Sequence, residues 1–67
     1  MKRVNHIAHY RIKAGLTQSE LAAKLDVGET SVSNWENGVS FPPAERLIKL
    51  ARALDVTVEE LLGVKKE

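Results

Sequence analysis

The chain has no cysteine, two prolines and a single representative each of tryptophan, tyrosine and phenylalanine. Without cysteine, neither a disulfide framework nor a thiolate metal site can stabilise the fold. No apolar run is long enough to cross a bilayer, and the first ten residues lack the apolar segment of a secretory signal. These absences predict a cytoplasmic protein (nuclear in a eukaryote) that has no membrane partner and is stabilised by packed secondary structure alone.

The length and charge are those of a small globular domain. Sixty-seven residues leave room for one hydrophobic core, so residues 1–67 are predicted to form a single domain. Apolar residues make up 43% of the chain and charged residues 28%, which is ordinary for a globular protein. The formal net charge of +1 does not indicate a partner by its sign, so the positions of the charges must be considered.

Apolar residues recur at helical spacing throughout, and no stretch alternates for long enough to predict a strand. A first helix is predicted from Arg3 to Ala14, with Val4, Ile7 and Tyr10 on one face. Gly15 follows as the residue that ends this helix, since glycine accepts the left-handed conformation of a C-terminal cap.

Two short helices are predicted next. Thr17 and Glu20 have the spacing of a capping box, which starts a second helix, Thr17–Leu25. Its buried residues are predicted to be Leu21, Ala22 and Leu25. The third helix is predicted as Gly28–Glu36, and its Val32 and Trp35 lie three residues apart on an inward face. This spacing favours a core position for Trp35 over stacking against a base.

The prolines separate the third helix from the fourth. Each proline excludes the residue before it from the α region, so the link that ends in Pro42-Pro43 cannot be helical. Pro43 suits the first position of the fourth helix. The apolar stripe of that helix comprises Leu47, Ile48, Leu50, Ala51 and Leu54. Thr57 and Glu60 form a second capping box, which opens a short fifth helix carrying Val58, Leu61 and Leu62.

The second and third helices are joined by a turn of about three residues, the length typical of a helix-turn-helix. The segments LTQSELAAKLDV, SVSNWENG and LIKLARALDVTVEELLG follow one another in this order. They resemble the lambda-repressor-like helix-turn-helix family, which includes phage repressors, Cro proteins and xenobiotic-response-element (XRE) type regulators. The resemblance runs from about Ile7 to Gly63 and implies an all-α, compact five-helix DNA-binding domain. Asp26 and Asp55 stand where this family commonly has glycine, and aspartate also tolerates the left-handed conformation.

The resemblance implies that the third helix enters the major groove with its first turn against the base edges. The predicted base-contacting residues are Gly28, Glu29, Thr30 and Asn34. Glu29 can accept a hydrogen bond from cytosine, Asn34 can pair with adenine, and the Thr30 methyl can meet a thymine methyl. An alternative for Glu29 is a solvated carboxylate that stabilises the helix N-terminus through the macrodipole.

The predicted phosphate contacts come from the residues around this helix. By the resemblance, Gln18 and Asn37 match positions that contact phosphates, and Gln18 also lies at a helix N-terminus, which suits an anion. Thr17 is predicted to cap its helix, and its hydroxyl can also reach a phosphate. Arg46, in the first turn of the fourth helix, is the cation best placed for a flanking phosphate.

The resemblance also implies an ion pair between Arg11 and Glu36 that orients the third helix. No phosphate-binding loop and no nucleophile with an identifiable base appear, so we predict no enzyme, no cofactor and no small-molecule ligand. His6 and His9 are three residues apart but lack a third metal ligand, so no metal site is predicted.

These observations predict a sequence-specific transcriptional regulator of double-stranded DNA, most simply a repressor. It is expected to bind a near-palindromic operator as a homodimer, because a two-fold protein matches a two-fold site. The candidate dimer seam around the fifth helix comprises Val56, Val58, Leu61, Leu62 and Val64.

The charges leave a second hypothesis open. Between Ala14 and Glu45 the only cation is Lys24, against five acidic residues, yet DNA-binding proteins draw much of their affinity from neutralising phosphates. A protein-interaction module of the same fold, such as an antitoxin or anti-repressor subunit, is the alternative.

Overall fold

The computed structural model describes residues 5–63. Within that span the chain forms five helices and no strand, so the predicted all-α class is confirmed. The helices are α1 (Ile7–Lys13), α2 (Gln18–Leu25), α3 (Glu29–Glu36), α4 (Ala44–Leu54) and α5 (Val58–Leu62). α2 packs against α3 and α4, while α1 packs against α3 and α5.

The first helix begins later than predicted. The predicted start at Arg3 lies outside the described residues, as does Val4, but Asn5 and His6 are not helical and α1 begins at Ile7. The reason is a local cap: Asn5 Oδ1 accepts a hydrogen bond from the Ile7 N–H at 3.0 Å. This bond satisfies one of the free amides at the helix start and holds the preceding backbone out of the helix.

Both predicted capping boxes are present. Thr17 Oγ1 accepts from the Glu20 N–H at 3.0 Å, and Glu20 Oε1 accepts from the Thr17 N–H at 2.8 Å. Thr57 and Glu60 repeat the arrangement at 3.1 and 2.9 Å. Because each box satisfies two amides that the helix itself cannot, α2 and α5 begin directly after Thr17 and Thr57, so α2 starts one residue later than predicted.

Two helices end at aspartates in the left-handed conformation, as predicted. Asp26 follows α2 with φ 56° and ψ 46°, and Asp55 follows α4 with φ 57° and ψ 46°. A non-glycine residue is rare in this region, and aspartate is among the side chains that tolerate it best. Each aspartate turns the chain so that the next helix packs across the one before.

A single core lies between the five helices. The buried hydrophobic residues of this core are Ile7, Leu21, Ala22, Leu25, Val32, Trp35, Leu50, Ala51, Leu54 and Leu61. Trp35 is 5% exposed, which confirms its predicted place in the core. Among residues 5–63, no helix combines the length and apolar composition that a bilayer crossing requires.

Three predictions for the second half of the chain are wrong in detail. Pro43 is the N-cap of α4, one residue before the helix, because its ψ of 157° is extended. Ile48 is 51% exposed and does not belong to the buried stripe of α4. Leu61 is fully buried, so it fills the core and cannot form part of a dimer seam. Val64, also placed in that seam, lies outside the described residues.

Candidate nucleic-acid interface

The three-residue turn Asp26–Gly28 sets α3 across α2. The N–H of Val27 bonds back to Ala22 O at 3.0 Å, and the Val27 side chain packs against the core. Gly28 is the N-cap of α3, and since it has no side chain, the first amides of α3 receive no side-chain cap. The turn therefore presents an open helix N-terminus at the surface.

Gly28 and the first two residues of α3, Glu29 and Thr30, form the reading turn. All three of its residues are exposed, and a Cβ placed on Gly28 would meet no atom within 4 Å. The side chains of Glu29, Thr30 and the half-buried Asn34 form no hydrogen bond within the described part of the chain. Glu29, Thr30 and Asn34, which are predicted to contact bases, thus have polar side-chain atoms that no other described residue uses.

The side chains predicted to contact phosphates are more engaged. Gln18 Nε2 donates to Glu36 Oε1 at 2.9 Å, and Arg46 Nη1 donates to Leu25 O at 3.1 Å. The Thr17 hydroxyl is the acceptor of its capping box. Asn37 is exposed, and its amide makes only a long contact of 3.4 Å with Ser33 Oγ. Asn37 therefore has the freest polar group of the four, and the Gln18 side chain turns inward.

The carboxylate of Glu36 joins three helices. Arg11 donates to it twice, from Nε at 2.6 Å and from Nη2 at 3.3 Å, and Gln18 donates the third bond. Arg11 also donates from Nη1 to Leu16 O at 2.8 Å. The side chains of Arg11 and Glu36 are 14% and 5% exposed, so the pair is largely shielded from water. This ion pair links α1 to the last residue of α3.

Sequence reasoning missed one residue at the same helix end. Asn5 Nδ2 donates to Trp35 O at 2.9 Å, across 30 residues of sequence. An asparagine two positions before a helix is a recognisable Asx-turn signal, because its side-chain oxygen can accept from the backbone N–H two residues on. Its contact with Trp35 depends on how α1 packs against α3, and no local signal predicts that.

The charges around the reading turn are mostly negative. The exposed acids between Ala14 and Glu45 are Glu20, Asp26, Glu29 and Glu45, the last of them in α4, and Lys24 is the exposed cation among them. Residues 5–63 contain no cluster of three or more histidine, cysteine or carboxylate groups that could hold a metal ion.

Comparisons of the sequence with protein families and with known proteins agree with one another. A family model described as Helix-turn-helix matches residues 7–61. The CTXphi transcriptional repressor RstR of Vibrio cholerae is 33% identical over 63 residues, which cover 94% of this chain and 56% of RstR. The transcriptional regulator ImmR of Bacillus subtilis is 42% identical over 53 residues, which cover 79% of this chain and 42% of ImmR. The chain thus spans about half the length of these relatives.

A solved structure extends the comparison to the fold. SinR, a master regulator for biofilm formation that was crystallised in complex with DNA, superposes with a TM-score of 0.77 at 36% identity. The match covers 85% of this chain and 92% of the SinR chain. The family match, the similar sequences and the shared fold agree with the α2–α3 geometry described above. The chain belongs to the lambda-repressor-like helix-turn-helix family.

Proposed function

We propose that this chain is a sequence-specific transcriptional regulator that binds double-stranded DNA through α3. The observation that carries the proposal is the state of α3: its reading turn is exposed with unused polar groups, while its C-terminal end is held by three side-chain contacts. A rigid helix with one free end fits the major groove, where donor and acceptor patterns distinguish the base pairs. The regulators similar in sequence support the same function.

In this proposal the reading turn and Asn34 contact the base edges, and Asn37 contacts a phosphate beside the groove. The two α3 helices of a homodimer enter successive major grooves of a near-palindromic operator. With Leu61 buried, the candidate dimer seam is reduced to the half-buried Val56, Val58 and Leu62. The regulator acts most simply as a repressor that occludes the promoter, with no catalytic step.

Selection from a random duplex pool tests the proposal directly. We expect the purified chain to enrich an inverted repeat whose half-site centres lie about 34 Å apart. If no sequence is enriched at any salt concentration, the DNA-binding proposal is wrong. The exposed acids around the reading turn then favour the second candidate function, a module that binds a protein partner.

Glu29→Gln separates base reading from helix stabilisation. If Glu29 accepts a hydrogen bond from cytosine, the glutamine variant selects a different base at one position of each half-site. Glu59→Gln is the matched control, because Glu59 also lies exposed in the first turn of a helix. Loss of the macrodipole interaction alone costs either variant about 0.3–1 kcal/mol of stability and leaves the selected sequence unchanged.

A further inference from the structure

The side chain of Asn5 joins the start of α1 to the end of α3. Its Oδ1 accepts from the Ile7 N–H at 3.0 Å, and its Nδ2 donates to Trp35 O at 2.9 Å. Both partners belong to residues of the core, since Ile7 is fully buried and Trp35 is 5% exposed. One amide group therefore spans two helix ends whose side chains are fixed by packing.

The link between α1 and α3 needs both the oxygen and the nitrogen of the Asn5 side-chain amide. The capping bond uses only an acceptor, which serine or aspartate also supplies. The bond to Trp35 O requires a donor on the same side chain, at the reach of an asparagine. Trp35 O already accepts a hydrogen bond from the Gly38 N–H at 3.2 Å, so it does not need the bond from Asn5 to be satisfied. Capping of α1 does not explain this second bond either.

Asn5 acts on α3 differently from the ion pair. Arg11 and Gln18 hold α3 through the side chain of Glu36, whose rotatable bonds leave the helix backbone some freedom. Asn5 instead bonds to a backbone carbonyl in the last turn of α3. Two anchors of different kinds at one helix end restrict both its position and its rotation.

The free end of α3 amplifies any rotation at the anchored end. From Trp35 back to Glu29 the helix rises about 9 Å at 1.5 Å per residue. A rotation of about 10° about the anchored end then moves the reading turn by about 1.5 Å, whereas a binding site must be held to within ~0.5 Å.

We propose that Asn5 is a positioning residue that sets the orientation of α3, and with it the fit of the reading turn to the base edges. Asn37, two residues beyond the bonded carbonyl, is positioned by the same contact. The DNA-binding consequence rests on the proposed function, while the orientation of α3 in the free protein does not.

Asn5→Ser tests this inference because it retains a capping oxygen but is too short to reach Trp35 O. We expect the residual dipolar couplings of the α3 amides to change relative to those of α2 and α4 in the free chain. Affinity for the selected operator should fall about two- to tenfold, the effect of one hydrogen bond, with affinity for a scrambled duplex unchanged. Asn5→Ala, which also loses the cap, should melt at a lower temperature than Asn5→Ser.

The outcomes are distinguishable. Unchanged couplings in Asn5→Ser overturn the inference, and so does an equal loss of affinity on both duplexes. If Asn5→Ser does not fold, Asn5→Asp, which keeps the accepting oxygen but has no donor for Trp35 O, provides the couplings. If the unmodified chain selects no duplex sequence, the proposed function fails, and the couplings alone decide whether Asn5 orients α3.

Discussion

At the scale of single residues, the carboxylate of Glu36 is the feature on which the rest of the site depends. It is 5% exposed and accepts three hydrogen bonds, two from Arg11 and one from Gln18. A charge removed from water is costly unless it is paired and hydrogen-bonded. The network therefore makes one arrangement of α1, α2 and α3 acceptable and penalises the others.

Arg11→Met is expected to destabilise the chain by about 3–5 kcal/mol, because it leaves a buried carboxylate without its counter-charge. That loss is a large part of the roughly 3–10 kcal/mol expected for a domain of this size. Urea denaturation measures it, with Arg52→Met as the matched control, since Arg52 is exposed and its side chain forms no ion pair within residues 5–63. Equal stability of the two variants would contradict this account.

The partner of Gln18 shows what a sequence does not predict at this scale. The capping box formed by Thr17 and Glu20 predicts its place at the N-terminus of α2. Its side chain can donate equally well to a phosphate or to a carboxylate, and the structure pairs it with Glu36. The choice depends on the position of a residue 18 places away, which only the packing of α2 against α3 determines.

At the scale of helices, the predictions that succeeded depend on residues within one turn. The capping boxes at Thr17 and Thr57 and the left-handed Asp26 and Asp55 are set by local hydrogen bonds and backbone sterics. The misplaced Ile48 depends instead on which face of α4 a neighbouring helix covers. Helical periodicity predicts an apolar face, but its width is fixed by the packing partners.

Asp55→Gly is expected to stabilise the chain by about 0.5–1 kcal/mol. A residue with a side chain pays about 1–2 kcal/mol to adopt the left-handed conformation, and glycine does not. Glycine also gives the unfolded chain more conformational freedom, which offsets part of this stabilisation. Asp55→Asn is the control, because asparagine also tolerates this conformation and lacks the charge. The difference in stability is measured as a shift of the denaturant midpoint, with the denaturant dependence of the free energy of unfolding unchanged. If the asparagine variant is stabilised as much as the glycine variant, charge rather than backbone strain is the cause.

At the scale of the whole molecule, the distribution of charge would set the mode of DNA binding in the proposed regulator. Near the reading turn the cations are the exposed Lys24 and the half-buried Arg46, which already donates one hydrogen bond to Leu25 O. Phosphate neutralisation is therefore modest, and a larger share of the affinity must come from base contacts and shape. This balance favours specificity over general affinity for DNA.

The salt dependence of operator binding should accordingly be shallow. With two cations per protomer, the proposed dimer would neutralise about four phosphates, which gives an expected slope of log K against log salt of about −4. Lys24→Gln should reduce its magnitude by about 2 per dimer, while Lys49→Gln, exposed on α4, should leave it unchanged. A much steeper slope would show that the cations of α1 and the other cations of α4 also reach the phosphate backbone.

The contact between the two ends of the described fold has a consequence for how the domain can be connected. The His6 N–H donates to Leu61 O at 2.8 Å, and a Cβ on Gly63 would lie 2.7 Å from His6 Nε2. The two ends of the described fold, near His6 and Gly63, therefore lie side by side. Domains fused to both ends would be held side by side there. A short glycine-rich linker could join the two ends, and opening the chain at another loop would then give a circular permutant.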